Sequence, residues 1–188
     1  MKNKVVISLY DFTGEALKPW AEQGYTCYAY DIQHEKDNPR KECVGKGAIW
    51  YTYYDLQKNS GTVHKTLIEH HEMHDVIFGM AFPVCTDLAV SGAMHFKKKK
   101  EVDVLFQYKA MQYVFDCANT FIKMKCPYMI ENPVSVLATM WREPDYRFHP
   151  YEYGGYIPED QAEHPVWPEY IAPRDAYPKK TCLWTGNR

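Results

Sequence analysis

A short β-rich run, Val5 to Tyr10, stops at Asp11-Phe12-Thr13-Gly14, and Glu15 to Gln23 then reads as a helix closed by Gly24. Strand, tight turn and helix in that order leave the chain few ways to continue: the following strand lies parallel to the first, with the helix as crossover. Tyr25 to Tyr30 supplies that strand and stops at Asp31, 17 residues after Gly14. In nucleotide-binding βαβ units an acidic residue about 20 residues past the glycine turn meets a ribose hydroxyl. One glycine and one carboxylate are a weak signal alone, so the weight falls on whether the pattern repeats.

It repeats. Ala48 to Tyr54 reads as a strand ending at Asp55-Leu56, Thr62 to His74 has helical character, and Asp75 to Gly79 is a buried strand leading to a loop with Pro83. Val102 to Lys123 is the clearest helix, with Val104, Leu105, Tyr108, Met111, Val114, Phe115, Ala118 and Phe121 recurring mostly at threes and fours. Tyr128 to Ile130 is another strand, running into Glu131-Asn132-Pro133. Such alternation predicts an α/β fold: a Rossmann-like, mostly parallel sheet with helices on both faces. Ligands of such sheets sit at the carboxyl ends of the strands, where Gly14, Asp31, Asp55, the Pro83 loop and Glu131 are expected to gather. Beyond Trp141 the periodicity gives way to Pro, Tyr, His and Asp, and Thr181 to Trp184 is the late strand candidate. At 188 residues one domain is expected, residues 1–140 as its core and 141–188 as a C-terminal lid with the last strand.

Charge and cysteine usage exclude several classes. Lys plus Arg is 22 against 24 for Asp plus Glu, so no global field draws the chain to nucleic acid or an anionic membrane. The apolar stretches fall short of the roughly 20 residues of a membrane span and the N-terminus has no cleavage site, so a cytoplasmic protein is expected. Six cysteines stand singly without a CxxC pair, which suits a reducing cytosol and leaves any of them as a free thiol. His70 and His74 share a helix face able to hold a metal, but Glu69 and Glu72 beside them point to a solvated face, and no metal is expected. The run Lys97 to Lys100 reads as a solvated loop near which a phosphate backbone would pass. Aromatic residues are 15% of the chain, and a tyrosine-rich share lies between Tyr146 and Tyr177, read as an apolar lid over the sheet in preference to a base-stacking surface.

Three segments carry a family resemblance. Phe78-Gly79-Met80-Ala81-Phe82-Pro83-Val84-Cys85-Thr86 resembles the Pro-Cys nucleophile loop of S-adenosylmethionine-dependent DNA cytosine-5 methyltransferases. Glu131-Asn132-Pro133 looks like that family's Glu-Asn-Val motif, and Phe12-Thr13-Gly14-Glu15-Ala16-Leu17 like a degraded Phe-x-Gly-x-Gly cofactor turn. The phrases Phe82 to Ala93 and Lys179 to Asn187 look most like small methylase-like proteins encoded by bacteriophages. The resemblance implies a class I methyltransferase fold, Cys85 as nucleophile and Glu131 as the acid beside the ring. It also implies S-adenosyl-L-methionine over Gly14, Ala16 and Pro83, with Asp31 on its ribose, Asp55 near its adenine, and apolar contacts from Phe12 and Ile32. Ala16 and Leu17 stand where the family has glycine, Val84 replaces a proline and Thr86 a glutamine. The family's Gln-x-Arg-x-Arg segment and long target-recognition region have no clear counterpart.

The chemistry supports the pairing. Cytosine C5 becomes nucleophilic once a thiolate adds at C6, and a carboxylic acid bonding N3 and the exocyclic amine disperses the charge that develops. Each residue also has a plain reading: Cys85 as a buried thiol, Asp31 and Asp55 as turn residues, Asn132 as the cap of a helix opened by Pro133. The expected function is methylation of C5 of a pyrimidine, cytosine in DNA, after extrusion of the base. The alternatives are a free pyrimidine nucleotide as substrate, or an inactive methylase-derived phage protein that binds a nucleotide, DNA or a protein partner. A protein partner could also supply target recognition, and the oligomeric state is left open.

Overall fold

The computed structural model describes residues 2–58, 64–164 and 167–187. Its centre is β1 (Lys4–Leu9), whose Val5 to Leu9 are wholly buried because parallel neighbours flank it and both faces are covered. To one side lie β2 (Thr26–Asp31), β4 (Gly47–Tyr53) and the antiparallel edge strand β3 (Arg40–Val44). To the other lie β5 (Asp75–Ala81), β6 (Tyr128–Pro133), β8 (Thr181–Gly186) and β7 (Tyr146–Phe148). The eight-stranded order is β3-β4-β2-β1-β5-β6-β8-β7, with β4, β2, β1, β5 and β6 parallel and β8 running against β6. The sheet is therefore mostly parallel and Rossmann-like, and its winding reverses between β1 and β5, where doubly wound sheets open their ligand crevice.

Alternation along the strands sorts two cores. Ile7, Leu9, Tyr30 and Ala81 face α4 (Phe106–Met124), which contributes Val114, Cys117, Ala118 and Phe121. Val6, Cys27, Ala29, Ile49 and Tyr51 face Leu17 and α1 (Lys18–Glu22). Gly79 lets α4 settle directly on β5, since a Cβ there would stand 2.3 Å from the Phe121 ring.

Several expectations change. The helix from Glu15 is a 3-10 turn, Glu15–Leu17, followed by the short α1. The helix read over Thr62 to His74 is α2 (Lys65–His70), with Thr62 and Val63 outside the described residues. The long helix read from Val102 breaks at Asp103, whose extended backbone and whose Oδ1, accepting from Leu105 N at 3.0 Å, separate α3 (Phe96–Val102) from α4. Lys97 to Lys100 are thus helical, not a loop. Glu131-Asn132-Pro133 completes β6, and the next helix, α5, starts only at Leu137 (Leu137–Met140), so Asn132 caps nothing. β3 and β7 were not anticipated, because Arg40-Lys41-Glu42 has the polarity of a loop and is a strand only through pairing with β4.

Of the histidines at the end of α2, His71, the residue just past the helix, belongs to the core, whereas His70 is exposed and His74 partly buried. His71 is buried, its Nε2 2.8 Å from the Tyr30 hydroxyl and its ring edge-on to Tyr28 at 4.7 Å. Burial, with His70 and His74 adding repulsion, holds its imidazole down at about 3. The unfolded chain takes up that proton near pH 6.5 and the folded one does not, so this contribution is intact above pH 6.5 and drains as pH falls toward 3. Urea unfolding should show a loss of about 2 kcal/mol between pH 7 and pH 5, mostly absent in His71→Asn. An equal loss in the variant would assign the acid sensitivity elsewhere.

Candidate functional site

The turn after β1 is built by Asp11. Its buried carboxylate accepts from Ser8 Oγ at 2.7 Å and from Gly14 N at 2.7 Å, folding residues 11–14 back on the strand. Gly14 has φ +70°, and a Cβ there would stand 2.7 Å from the Tyr51 ring, so only glycine fits both the backbone and the contact. Tyr51 is held in turn: its hydroxyl donates to Glu42 at 2.9 Å and Arg40 lies 3.7 Å over its ring. The unanticipated hairpin β3–β4 thus backs the glycine turn.

Three cavities run along the carboxyl edge of the sheet. One of about 370 Å3 lies at the β1/β5 switch, lined by Tyr10, Asp11, Phe12, Thr13, Ala16 and Phe82, among others. It shares Phe12 with a second of about 390 Å3, lined also by Gln33, His34, Asn38 and Arg40. Here His34 stacks on Phe12 at 5.4 Å and its Nε2 lies 3.2 Å from Asp11 O. On the other side it shares Phe82 with a third of about 500 Å3, which holds Glu131 among Met129, Leu183, Tyr146, Phe148 and Tyr153.

The candidate residues distribute unevenly over this trough. Phe12 and Ala16 line it and Gly14 shapes it. Asp31 Oδ1 accepts from Gln33 N at 2.8 Å and Asp55 Oδ1 from Lys58 N at 2.9 Å, so both organise their own loops as turn aspartates do. Neither they nor Ile32 and Pro83 line these three cavities. Pro83 is buried, and its carbonyl accepts from Asn132 Nδ2 at 3.2 Å. That bond explains why the residue after Glu131 is an asparagine: successive strand residues face opposite ways, so Glu131 enters the pocket while Asn132 anchors the Cys85 loop.

Cys85 follows β5 in a loop tied down on three sides. Leu88 N and Ala89 N donate to Cys85 O, Val136 N donates to Leu88 O, and Lys99 pairs with Asp87 and donates to Thr86 O. Cys85 is half-buried, while Cys27, Cys117, Cys126 and Cys182 are buried. Burial pushes the Cys27 and Cys126 thiols up to about 12 and raises Cys117 and Cys182 as well, which suppresses their thiolates. Solvent therefore reaches Cys85 and Cys43, and of these Cys85 lies at the carboxyl edge. Cys85 does not itself line the Glu131 pocket. Burial raises the Glu131 carboxyl, with Lys179 opposing, which favours the protonated, hydrogen-bond-donating acid.

Residues missed from the sequence are Asp11, His34, Tyr51 and Phe82, whereas the segment from Tyr146 to Tyr153 was read as part of a lid, without its pocket. An Asp three residues before a glycine is a turn signal that could have found the first; the others depend on long-range packing. The tyrosine-rich segment also divides, with residues 165 and 166 outside the described ones. Tyr146, Phe148 and Tyr153 line the pocket, with Tyr146 and Tyr153 about half exposed, whereas Tyr156 and Tyr170 line none of the three cavities and are almost fully exposed. Among the described residues no helix is long and apolar enough to cross a membrane. No protein-family model matches the chain, and no curated protein matches it in sequence.

Proposed function

We propose that this chain is an S-adenosylmethionine-dependent methyltransferase acting on C5 of a pyrimidine. The observation that carries the reading is the Glu131 carboxyl, raised by burial in an aromatic-walled pocket at the sheet's carboxyl edge, one strand from the half-buried Cys85 loop. A core order of third, second, first, fourth and fifth parallel strands, with a glycine turn at the switch point, supports the class I methyltransferase fold that the resemblance implies. So does the trough, whose chamber at the turn suits an aliphatic chain and whose Phe12–His34 stack suits a purine.

In this reading Phe12, Gly14 and Ala16 hold the donor, and His34 joins them. Bound S-adenosylmethionine would supply an electrophilic methyl group. Cys85 adds as thiolate to C6 of the pyrimidine, pushing electron density onto C5, while Glu131 donates its proton toward N3. After the methyl group is in place, loss of the C5 proton re-forms the double bond and expels Cys85. Cys85 stands outside the pocket, so attack requires the anchored loop to exchange some of its hydrogen bonds as substrate binds, a closure of the kind that completes many active sites. Cytosine in DNA is the acceptor that the family resemblance implies.

Calorimetric titration with S-adenosylmethionine tests the reading. Saturable binding is expected, weakened about tenfold in Phe12→Ala through loss of an aromatic stacking face. Phe12 is half exposed, so the variant folds. No heat from the wild type would remove the methyltransferase reading.

A further inference from the structure

One wall of the Glu131 pocket comes from the chain's own C-terminal segment, and that wall is held by hydrogen bonds. The 3-10 segment Pro150–Tyr156 is capped by Glu152, whose carboxylate accepts from His149 N at 2.8 Å. Arg174 crosses behind it, donating from Nη1 to Ile157 O at 2.6 Å and Gly154 O at 3.0 Å. Tyr153 is thereby fixed edge-on to Phe148, their centroids 5.4 Å apart. These rings share the cavity with Phe82, Met129, Tyr146 and Leu183, an apolar lining in which Glu131 and Arg147 are the charged side chains.

Its rim has the opposite character. Arg147 lines the pocket with its side chain nearly half exposed, and its partner Glu143 is more exposed still, a surface pair worth little and easily exchanged for a better anion. Lys179 is exposed and its charge bears on the Glu131 carboxyl, while Arg147 and Lys180 bear on Cys182 of the neighbouring strand. The run Lys97 to Lys100, the surface that would track a polynucleotide, contributes to a different cavity, with Asp87, His95 and Phe106.

We propose that this pocket takes a single pyrimidine nucleotide, its base between Phe82 and the Phe148–Tyr153 pair with its polar edge on Glu131, and its phosphate on Arg147 and Lys179. About 500 Å3 lies within the ~300–1,000 Å3 range of small-molecule sites. Aromatic faces stack any base, an acid with a proton to donate selects a ring with an acceptor nitrogen at its edge, and a guanidinium at the rim recognises phosphate. The proposal rests on the C5-pyrimidine reading for its choice of base, and makes the free nucleotide rather than DNA the acceptor.

Calorimetry without methyl donor separates the two. The full chain is titrated with dCMP, deoxycytidine, and a cytosine-containing oligonucleotide as single strand and duplex. Binding of dCMP is expected to exceed that of deoxycytidine by about tenfold or more, with Arg147→Gln removing this preference and Tyr153→Leu weakening both ligands. Arg147→Gln alters an exposed side chain, so its fold is retained. Equal binding of dCMP and deoxycytidine, tighter binding of either oligonucleotide, or no dCMP binding would each overturn the proposal. Failure of the methyltransferase reading is seen separately, as absent S-adenosylmethionine binding in a protein that still binds dCMP.

Discussion

Cys85→Ser should reduce methyl transfer to background, a loss of at least about 10³-fold, because a serine hydroxyl presents almost no oxyanion at neutral pH and no other thiol can take over. Cys27, Cys117, Cys126 and Cys182 are buried and their thiolates suppressed, and Cys43 sits on the edge strand β3. Cys43→Ser should therefore leave activity unchanged. The half-buried position of Cys85 keeps the stability cost of its replacement small, within about 0.5 kcal/mol. The same chemistry has a direct signature. With an acceptor carrying 5-fluorocytosine the group on C5 cannot leave as a proton, so wild type should accumulate a covalent adduct, read as added mass on the intact chain, and Cys85→Ser should show none. Turnover by Cys85→Ser, or an adduct on another residue, would remove Cys85 from its role.

Glu131→Gln is expected to lower transfer by about 10²–10⁴-fold, since the amide keeps the shape but has no proton to give. Two further readouts separate this from a structural defect. The folded carboxyl is raised above its unfolded value by burial, so its contribution to stability is full below the unfolded value and is lost as pH rises through the folded one. At pH 7, above the unfolded value, the buried acid is a burden relative to a neutral amide, and Glu131→Gln should melt higher than wild type, with the difference vanishing near pH 4. Activity of the wild type should decline on the alkaline side as the acid ionises, a limb absent from the residual activity of the variant. A variant that melts lower at pH 7 while losing activity would show Glu131 to be structural.

The legible part of the fold was its periodic, local part. β1, β2, β4, β5 and β6 announce themselves because a strand buried on both faces reads as an unbroken apolar run. The break between α3 and α4 was hidden, since apolar spacing continues through Val102 to Leu105 while the Asp103 side chain ends the ladder. β3 and β7 were hidden for another reason: each is polar or short and becomes a strand only by pairing with a partner placed elsewhere in the chain.

The site divides along the same line. Cys85, Glu131 and the Gly14 turn were singled out by the family resemblance together with their positions after strands, both of which are carried locally. Asp31 and Asp55 also stood after strands, yet their carboxylates close their own turns, an outcome decided by hydrogen bonds a few ångströms long. Sequence was thus sufficient for the winding of the parallel sheet and for the edge where its candidate residues lie. Only the tertiary structure decided that Asp11 shapes the glycine turn, that Tyr51 of a distant strand backs it, and that Tyr146, Phe148 and Tyr153 wall the pocket of Glu131. Those contacts join residues far apart in the chain, whose side chains meet only after β8 has inserted beside β6 and brought β7 to its far side.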